Sequence, residues 1–313
     1  MTVDAERERR IALWRALSQQ DRDALEPSHL RALGVYGGAQ GIWVDKANTA
    51  MSDEAPAGIT VSILHTGRHY DDDVSEDCVL YHYPSTARPA SRDAGEVQAT
   101  KNAMLLRIPL FVVLPSPRSK RLRSVKLGWV SDFDDEGRTF LILYGSGDAP
   151  EHPTPYVTPD TGDAPFVGAD HTRGRTSSSR TSRRNQPQFR FQILRQFGHQ
   201  CAVCAIRHPR LLIAAHIRGV EDNGSDDWRN GIPLCGTHHN AFDAFLFGID
   251  PETLALRTRA DVSGSDIGLS SACLQPLRNR PHLDALRWRW EKTLAEWAKG
   301  RRLRSPIVRL ASS

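Results

Sequence analysis

Cys201-Ala202-Val203-Cys204 opens a run that continues through Leu211-Leu212-Ile213-Ala214-Ala215-His216-Ile217 and Asn230-Gly231-Ile232-Pro233-Leu234-Cys235 to His238-His239-Asn240-Ala241-Phe242-Asp243. Three thiols and one imidazole, Cys201, Cys204, Cys235 and His238, have the spacing of a closed tetrahedral Zn2+ site. A closed site leaves no position open for substrate, so this zinc is expected to be structural. It would staple a segment of roughly 50 residues, too small to bury much core alone. The metal would then fix the geometry of what lies between and beside its ligands: His216, Asn230 and His239.

The order of these residues resembles the HNH nuclease module, the ββα-metal fold, over about residues 188–250. The stretch ending in His216-Ile217 is similar to its first strand. Asn230 to Cys235 is similar to its return strand, and His238 to Asp243 to the start of its helix. The resemblance implies phosphodiester hydrolysis, and the residue types suit that chemistry. Attacking water must lose a proton, and a neutral imidazole has a pKa near operating pH, which makes His216 the candidate base. Negative charge builds on the phosphoryl and leaving oxygens, so a divalent cation is expected there, Mg2+ or Mn2+, Co2+ or Ni2+ in its place. His239 is its candidate ligand. Many HNH modules carry a metal-binding Asp just before the base, where this chain has Ala215. Asp243, one helical turn after His239, is then either a second ligand or a brace of the module. Asn230 is expected to tie the loop and orient the His216 ring.

Elsewhere the pattern changes. Residues 1–33 hold two short helices, with Ile11, Trp14 and Leu17 on one face of the first. Residues 34–150 are β-rich: Ile59 to Leu64, Val79 to Tyr83, Leu110 to Leu114, Val125 to Val130 and Phe140 to Tyr144 are short apolar runs divided by turn residues. Residues 151–187 form a linker rich in Pro, Gly, Ser and Arg. Its Arg173, Arg175, Arg180, Arg183 and Arg184 have no acid among them and suit phosphates as well as solvent. Residues 188–313 carry the nuclease module and a tail helix over about 281–299. Its stripe is Leu283, Leu286, Trp290, Leu294 and Trp297, and Arg287, Arg289, Lys292, Lys299, Arg301, Arg302 and Arg304 are assigned to its other, basic faces, which would suit DNA flanking the cut site. The stripe serves as core, or alternatively as a homodimer contact.

The β-rich region resembles the SRA domain, a PUA-like curled barrel that reads modified cytosine. The resemblance rests on Ala32 to Ile42, Gly58 to Leu64, His69-Tyr70-Asp71-Asp72-Asp73-Val74, Val79-Leu80-Tyr81, Gln98 to Met104 and Ile108 to Val113. Two features depart from that family: His82-Tyr83 replaces its usual Thr-Gly, and Leu114-Pro115 stands where an Arg is usual. The resemblance implies base flipping, which costs a few kcal/mol. Tyr70 and Tyr81 are the stacking candidates, and Asp73 the acceptor for the cytosine amine. On its own the Asp71-Asp72-Asp73 run reads equally as a solvated turn or a weak cation site.

Composition is consistent with this picture. The formal net charge is +4, too small to prove nucleic-acid binding. No run of about 18 apolar residues appears, and the charged start lacks a secretion signal. The cysteine usage is that of metal binding in a reducing compartment. The expectation is an α+β protein of the cytoplasm without membrane attachment: a modification-dependent, restriction-type endonuclease acting on double-stranded DNA with 5-methylcytosine or 5-hydroxymethylcytosine. The alternatives are an HNH nuclease whose N-domain reads another modification, such as phosphorothioate, and a non-catalytic DNA reader.

Overall fold

The computed structural model describes residues 2–37, 41–50, 55–65, 74–85, 89–145, 165–170 and 186–303, with side chains up to residue 299. Tyr70 and Asp73, the five linker arginines and Arg304 lie outside the described residues. The chain is a mixed α+β protein of two units, Met1–Tyr156 with Arg183–Gln188, and Val157–Ser182 with Phe189–Ser313.

In chain order the first unit holds α1 (Val3–Ser18), α2 (Pro27–Ala32), β1 (Ile42–Val44), α3 (Lys46–Thr49), β2 (Thr60–Leu64), β3 (Cys78–His82), α4 (Ala90–Leu105), β4 (Leu110–Pro115), β5 (Arg123–Asp134) and β6 (Thr139–Tyr144). Six strands form one sheet in the order β1-β2-β4-β5-β6-β3, antiparallel except for β2 beside β4. Side chains alternate across a strand. Phe111 and Val113 therefore join Val61, Val125 and Leu127 against Trp14, Leu17 and Leu30 of the two N-terminal helices. Leu110, Val112 and Leu114 face the other way, into a core with Ile63, Val130, Phe140 and Ile142. Burial on both faces explains why β4 reads as an unbroken apolar run.

Among the described residues no ladder joins the edge strands β1 and β3, so the sheet does not close into a barrel. It is nonetheless curled. Ile42 of β1 and Val79 of β3 share one core, and a Cβ added at Gly41 would stand 2.7 Å from the Tyr81 hydroxyl. Bare backbone at Gly41 is what lets that tyrosine reach across.

Two features of this unit escape the apolar pattern. The first is α4, whose buried stripe includes Glu96, Ala99, Thr100 and Ala103. Thr100 is 2.8 Å from Thr60, hydroxyl to hydroxyl, and the Asn102 amide donates to the Gly58 carbonyl at 2.9 Å. The second is Arg10, fully buried. It donates to Glu6 at 2.7 Å and to the carbonyls of Thr60 and Pro109. Burial pulls the Arg10 guanidinium down to about 10, and Glu6 opposes that fall.

The second unit holds α5 (Gln186–Phe197, from Phe189 on), β7 (Leu212–His216), β8 (Gly231–Cys235), α6 (Gly236–Asp243), β9 (Phe247–Ile249), β10 (Leu256–Thr258) and α7 (Leu283–Leu303). β7 and β8 form one antiparallel hairpin, and β9 and β10 another. α6 packs on both strands of the first.

The tail helix corrects one expectation. Its buried face is Ala285, Leu286, Arg289, Thr293 and Trp297, whereas Leu294 is 44% exposed. Arg289 belongs to the core and not to a basic outer face. Its guanidinium lies 4.2 Å over each of the Phe242 and Phe245 rings, and it donates to the Phe242 carbonyl. No helix among the described residues is long and apolar enough to cross a membrane.

Candidate active site

Four buried side chains converge where β8 meets α6. The ligand atoms of Cys201, Cys204, Cys235 and His238 all lie within 4.8 Å of one another. Cys204 Sγ is 3.9 Å from Cys235 Sγ, and His238 Nδ1 is 3.6 Å from Cys201 Sγ. A tetrahedral zinc with its usual bond lengths needs about 3.8 Å between sulfurs and about 3.6 Å between sulfur and nitrogen. Those two separations match, the Cys235 Sγ to His238 Nδ1 distance is shorter at 3.1 Å, and the set as a whole is compact enough to take that ion. Their chemistry points the same way, because burial pushes the Cys201 thiol up to about 12. A cation is what would make several buried thiolates tolerable. Burial also holds the His238 ring below the usual imidazole range, the neutral form a metal requires.

Helix geometry separates the two adjacent histidines. At 3.6 residues per turn, neighbouring side chains diverge by about 100°. His238 turns inward to the thiols and is 2% exposed, while His239 points away from them. His239 Nε2 lies 3.5 Å from Asp243 Oδ2, one turn later on α6. An imidazole and a carboxylate facing each other at a partly open position are a donor pair suited to a divalent cation whose remaining places go to water or phosphate.

His216 ends β7 and pairs with Gly231 at the start of β8. Asn230, fully buried, ties the loop between the two strands. Its side-chain oxygen accepts from the Arg218 N–H at 3.0 Å, and its amide donates to the carbonyls of Arg218 and Ser225 at 3.1 and 2.9 Å. The Ile217 N–H donates to the Asn230 carbonyl at 2.8 Å. Asn230 thus fixes the backbone on both sides of the turn. The partner at the His216 ring itself is a residue that sequence reasoning missed: Asp226 Oδ1, 3.0 Å from Nε2. The available signal was an acidic pair, Asp226-Asp227, inside the loop that joins the His216 and Asn230 strands.

Residues 201–250 match the family model described as HNH endonuclease. This segment is an HNH endonuclease domain. Its substrate class is DNA. No curated protein matches the chain. A solved structure titled as a modification-dependent TagI restriction endonuclease aligns over 86% of this chain and 90% of its own, with 18% identity and a TM-score of 0.29. A likeness that slight fixes neither the fold nor the chemistry of this chain.

Three elements outside the matched segment shape the HNH domain. The first is α5, whose Phe189 ring stacks on His216 with centroids 3.9 Å apart and planes 6° apart. Gly231 makes the room. A Cβ there would stand 2.6 Å from the tip of Phe189 and 2.5 Å from Ile193. The second is α7. Trp288 lies under the Arg218 guanidinium at 4.9 Å and near the Lys292 ammonium at 5.2 Å, and Lys292 pairs with Asp222. The third is the short segment 165–170, which falls inside the stretch expected to be a linker. Ala169 bridges to Gly224, Ser225 donates to the Val167 carbonyl, and Phe166 stacks on His282 at 3.8 Å. Gly224 is also pressed against its own loop: an added Cβ would collide with the Arg218 carbonyl at 1.8 Å.

Of the base-pocket residues, Tyr81 lies on β3 opposite Phe140 and packs on the core of the sheet.

Proposed function

We propose that this protein is a modification-dependent DNA endonuclease, in which the curled N-terminal sheet reads a modified cytosine and the HNH domain cuts the backbone. The observation that carries the nuclease reading is the presence of His216 at the end of β7 and a separately held His239 on α6 of one ββα unit that also gathers the Cys3His donor set. His216 takes a proton from the water that attacks phosphorus. The new P–O bond forms as the bond to the leaving oxygen breaks, and that oxygen is protonated from solvent. Asn230 keeps the His216 loop in register. His239 and Asp243 would hold the divalent cation, and Cys201, Cys204, Cys235 and His238 the structural Zn2+. A bound divalent cation supplies charge stabilisation for the phosphoryl and leaving oxygens.

Support for the reader comes from the sequence resemblance across about residues 31–115 and from the curl that brings Tyr81 against Gly41. Tyr70 and Tyr81 would sandwich the flipped base, and Asp73 would accept from its amine. Discrimination by one methyl is worth about 1–3 kcal/mol. That is too little to spare a whole unmodified genome, so efficient cutting is expected to need two modified sites or a homodimer.

Cleavage assays on 5-methylcytosine, phosphorothioate and plain duplexes, with and without Mg2+ or Mn2+, test the reading. His216→Ala and His239→Ala should each lose about 10²–10⁴-fold in rate while keeping their zinc. Wild-type cutting by either variant removes that residue from its role. Cutting confined to the sulfur-modified duplex replaces the cytosine reading with the phosphorothioate one.

A further inference from the structure

We propose that Asp226 is the positioning residue of the cleavage reaction, holding His216 in the one tautomer and ring orientation in which it can act as base. The proposal rests on the reading of His216 as that base. Phe189 covers a face of the imidazole, which fixes the ring plane but still permits a half-turn flip about the Cβ–Cγ bond. The 3.0 Å contact from Asp226 Oδ1 to Nε2 removes that freedom. An ionised carboxylate only accepts hydrogen bonds, so Nε2 must carry the hydrogen and Nδ1 keeps the lone pair. Nδ1 is then the atom that receives the proton from water. Once it has done so, the ring is a cation beside a carboxylate, and the product of proton transfer is stabilised where it forms.

The loop is built to hold Asp226 still. On one side, Ser225 is tied to Val167 through its hydroxyl and to the Asn230 amide through its carbonyl. On the other, Asp227 accepts from Arg229 at 2.6 Å and from the Arg229 backbone N–H at 2.9 Å. Two other charges of the loop are engaged elsewhere: Asp222 pairs with Lys292, and Arg218 lies over Trp288 and donates to the Asp222 carbonyl. Among these loop charges, Asp226 is the one set against the imidazole edge.

The test uses the full chain in single-turnover cleavage, with zinc content and melting temperature as controls for folding. Asp226→Asn should cut at least about 10²-fold more slowly, the low end of what a positioned base contributes. Its KM for DNA and its half-saturating Mg2+ concentration should stay unchanged. Asp226→Glu, which keeps the charge, should regain part of the rate. Nitrogen-15 histidine NMR at a pH where the ring is neutral, with His216 assigned by its loss in His216→Ala, should find the Nε2–H tautomer in the wild type and a mixture in Asp226→Asn. Three results overturn the proposal. If His216→Ala is inactive while Asp226→Asn keeps the wild-type rate and tautomer, Asp226 does not position the base. If Asp226→Asn raises the half-saturating Mg2+ concentration with the tautomer unmoved, the carboxylate is a cation ligand instead. If His216→Ala itself cuts normally, the base reading fails and this inference falls with it.

Discussion

The HNH domain and the N-terminal sheet hold their side chains in place by opposite means. In the HNH domain the placed groups run from Cys201 to Asp243, and four of them are donors gathered within 4.8 Å. A metal can fix that geometry almost independently of a large core. In the sheet, Tyr81 is positioned by an edge strand that meets the far edge only through the curl, and β2 pairs with β4 across the intervening β3 and α4. Its geometry depends on the whole fold. A metal-stapled site should therefore fail all at once when a ligand is lost, whereas a sheet-borne site should weaken by degrees.

The largest effect belongs to Cys204→Ser. Apparent zinc-binding energies in small zinc modules are about 10–16 kcal/mol, and that energy is folding energy. The variant should lose its metal, expose residues 201–250 to hydrogen exchange and lose cleavage. Elemental analysis of the wild type should find about one tightly held zinc per chain, as one closed site requires. A metal-free protein with full activity and a cooperative melt breaks the comparison from the HNH side.

Next comes Glu6→Gln, on the sheet side. It leaves the Arg10 cation buried without its counter-ion, which costs about 3–5 kcal/mol. Urea titration with exchange read out on β2 and β4 should report that loss. The pH dependence has a definite sign. Burial raises the Glu6 carboxyl, but Arg9 and Arg10 outweigh it and hold the group below its ordinary value of 4.5. Its contribution is therefore complete above about that pH and is lost as pH falls through the lowered value. Wild-type acid stability in Glu6→Gln would mean the buried pair does not hold α1 to the sheet.

A smaller change sharpens the contrast within the HNH domain. Gly231→Ala pushes a methyl into Phe189 and Ile193, an overpacking worth about 1–3 kcal/mol. It should also move Phe189 off the His216 ring and lower kcat without loss of zinc. Unchanged kcat would show that the stack only fills space.

How far the sequence could be read follows the same division. The zinc donors and the His238/His239 division are local features, readable from spacing, and the strands of the ββα unit were legible through the resemblance of the same short stretch to the HNH module. Asp226 and Phe189 are not, because their roles arise only when a loop and α5 fold back onto His216. The α4 helix was hidden because its buried stripe includes Glu96 and Thr100, whose polar groups are satisfied inside the fold. Arg289 reads as a surface cation by type, yet stacking between Phe242 and Phe245 makes it core. The 165–170 segment reads as linker by composition, although Phe166 and Val167 dock on the nuclease loop.

The central claim, that one part of this chain reads a modified base and another cuts, is tested most directly by a competition titration. Full-length His216→Ala should bind duplexes without cutting them, which makes it the form to titrate. At fixed salt, since salt sets the non-specific background, 5-methylcytosine or 5-hydroxymethylcytosine duplexes should compete about 10–200-fold better than the plain sequence, the range a single methyl supports. Tyr81→Ala in the same background should erase that preference and leave plain-duplex binding in place. Equal affinity for the modified and plain duplexes would contradict the account.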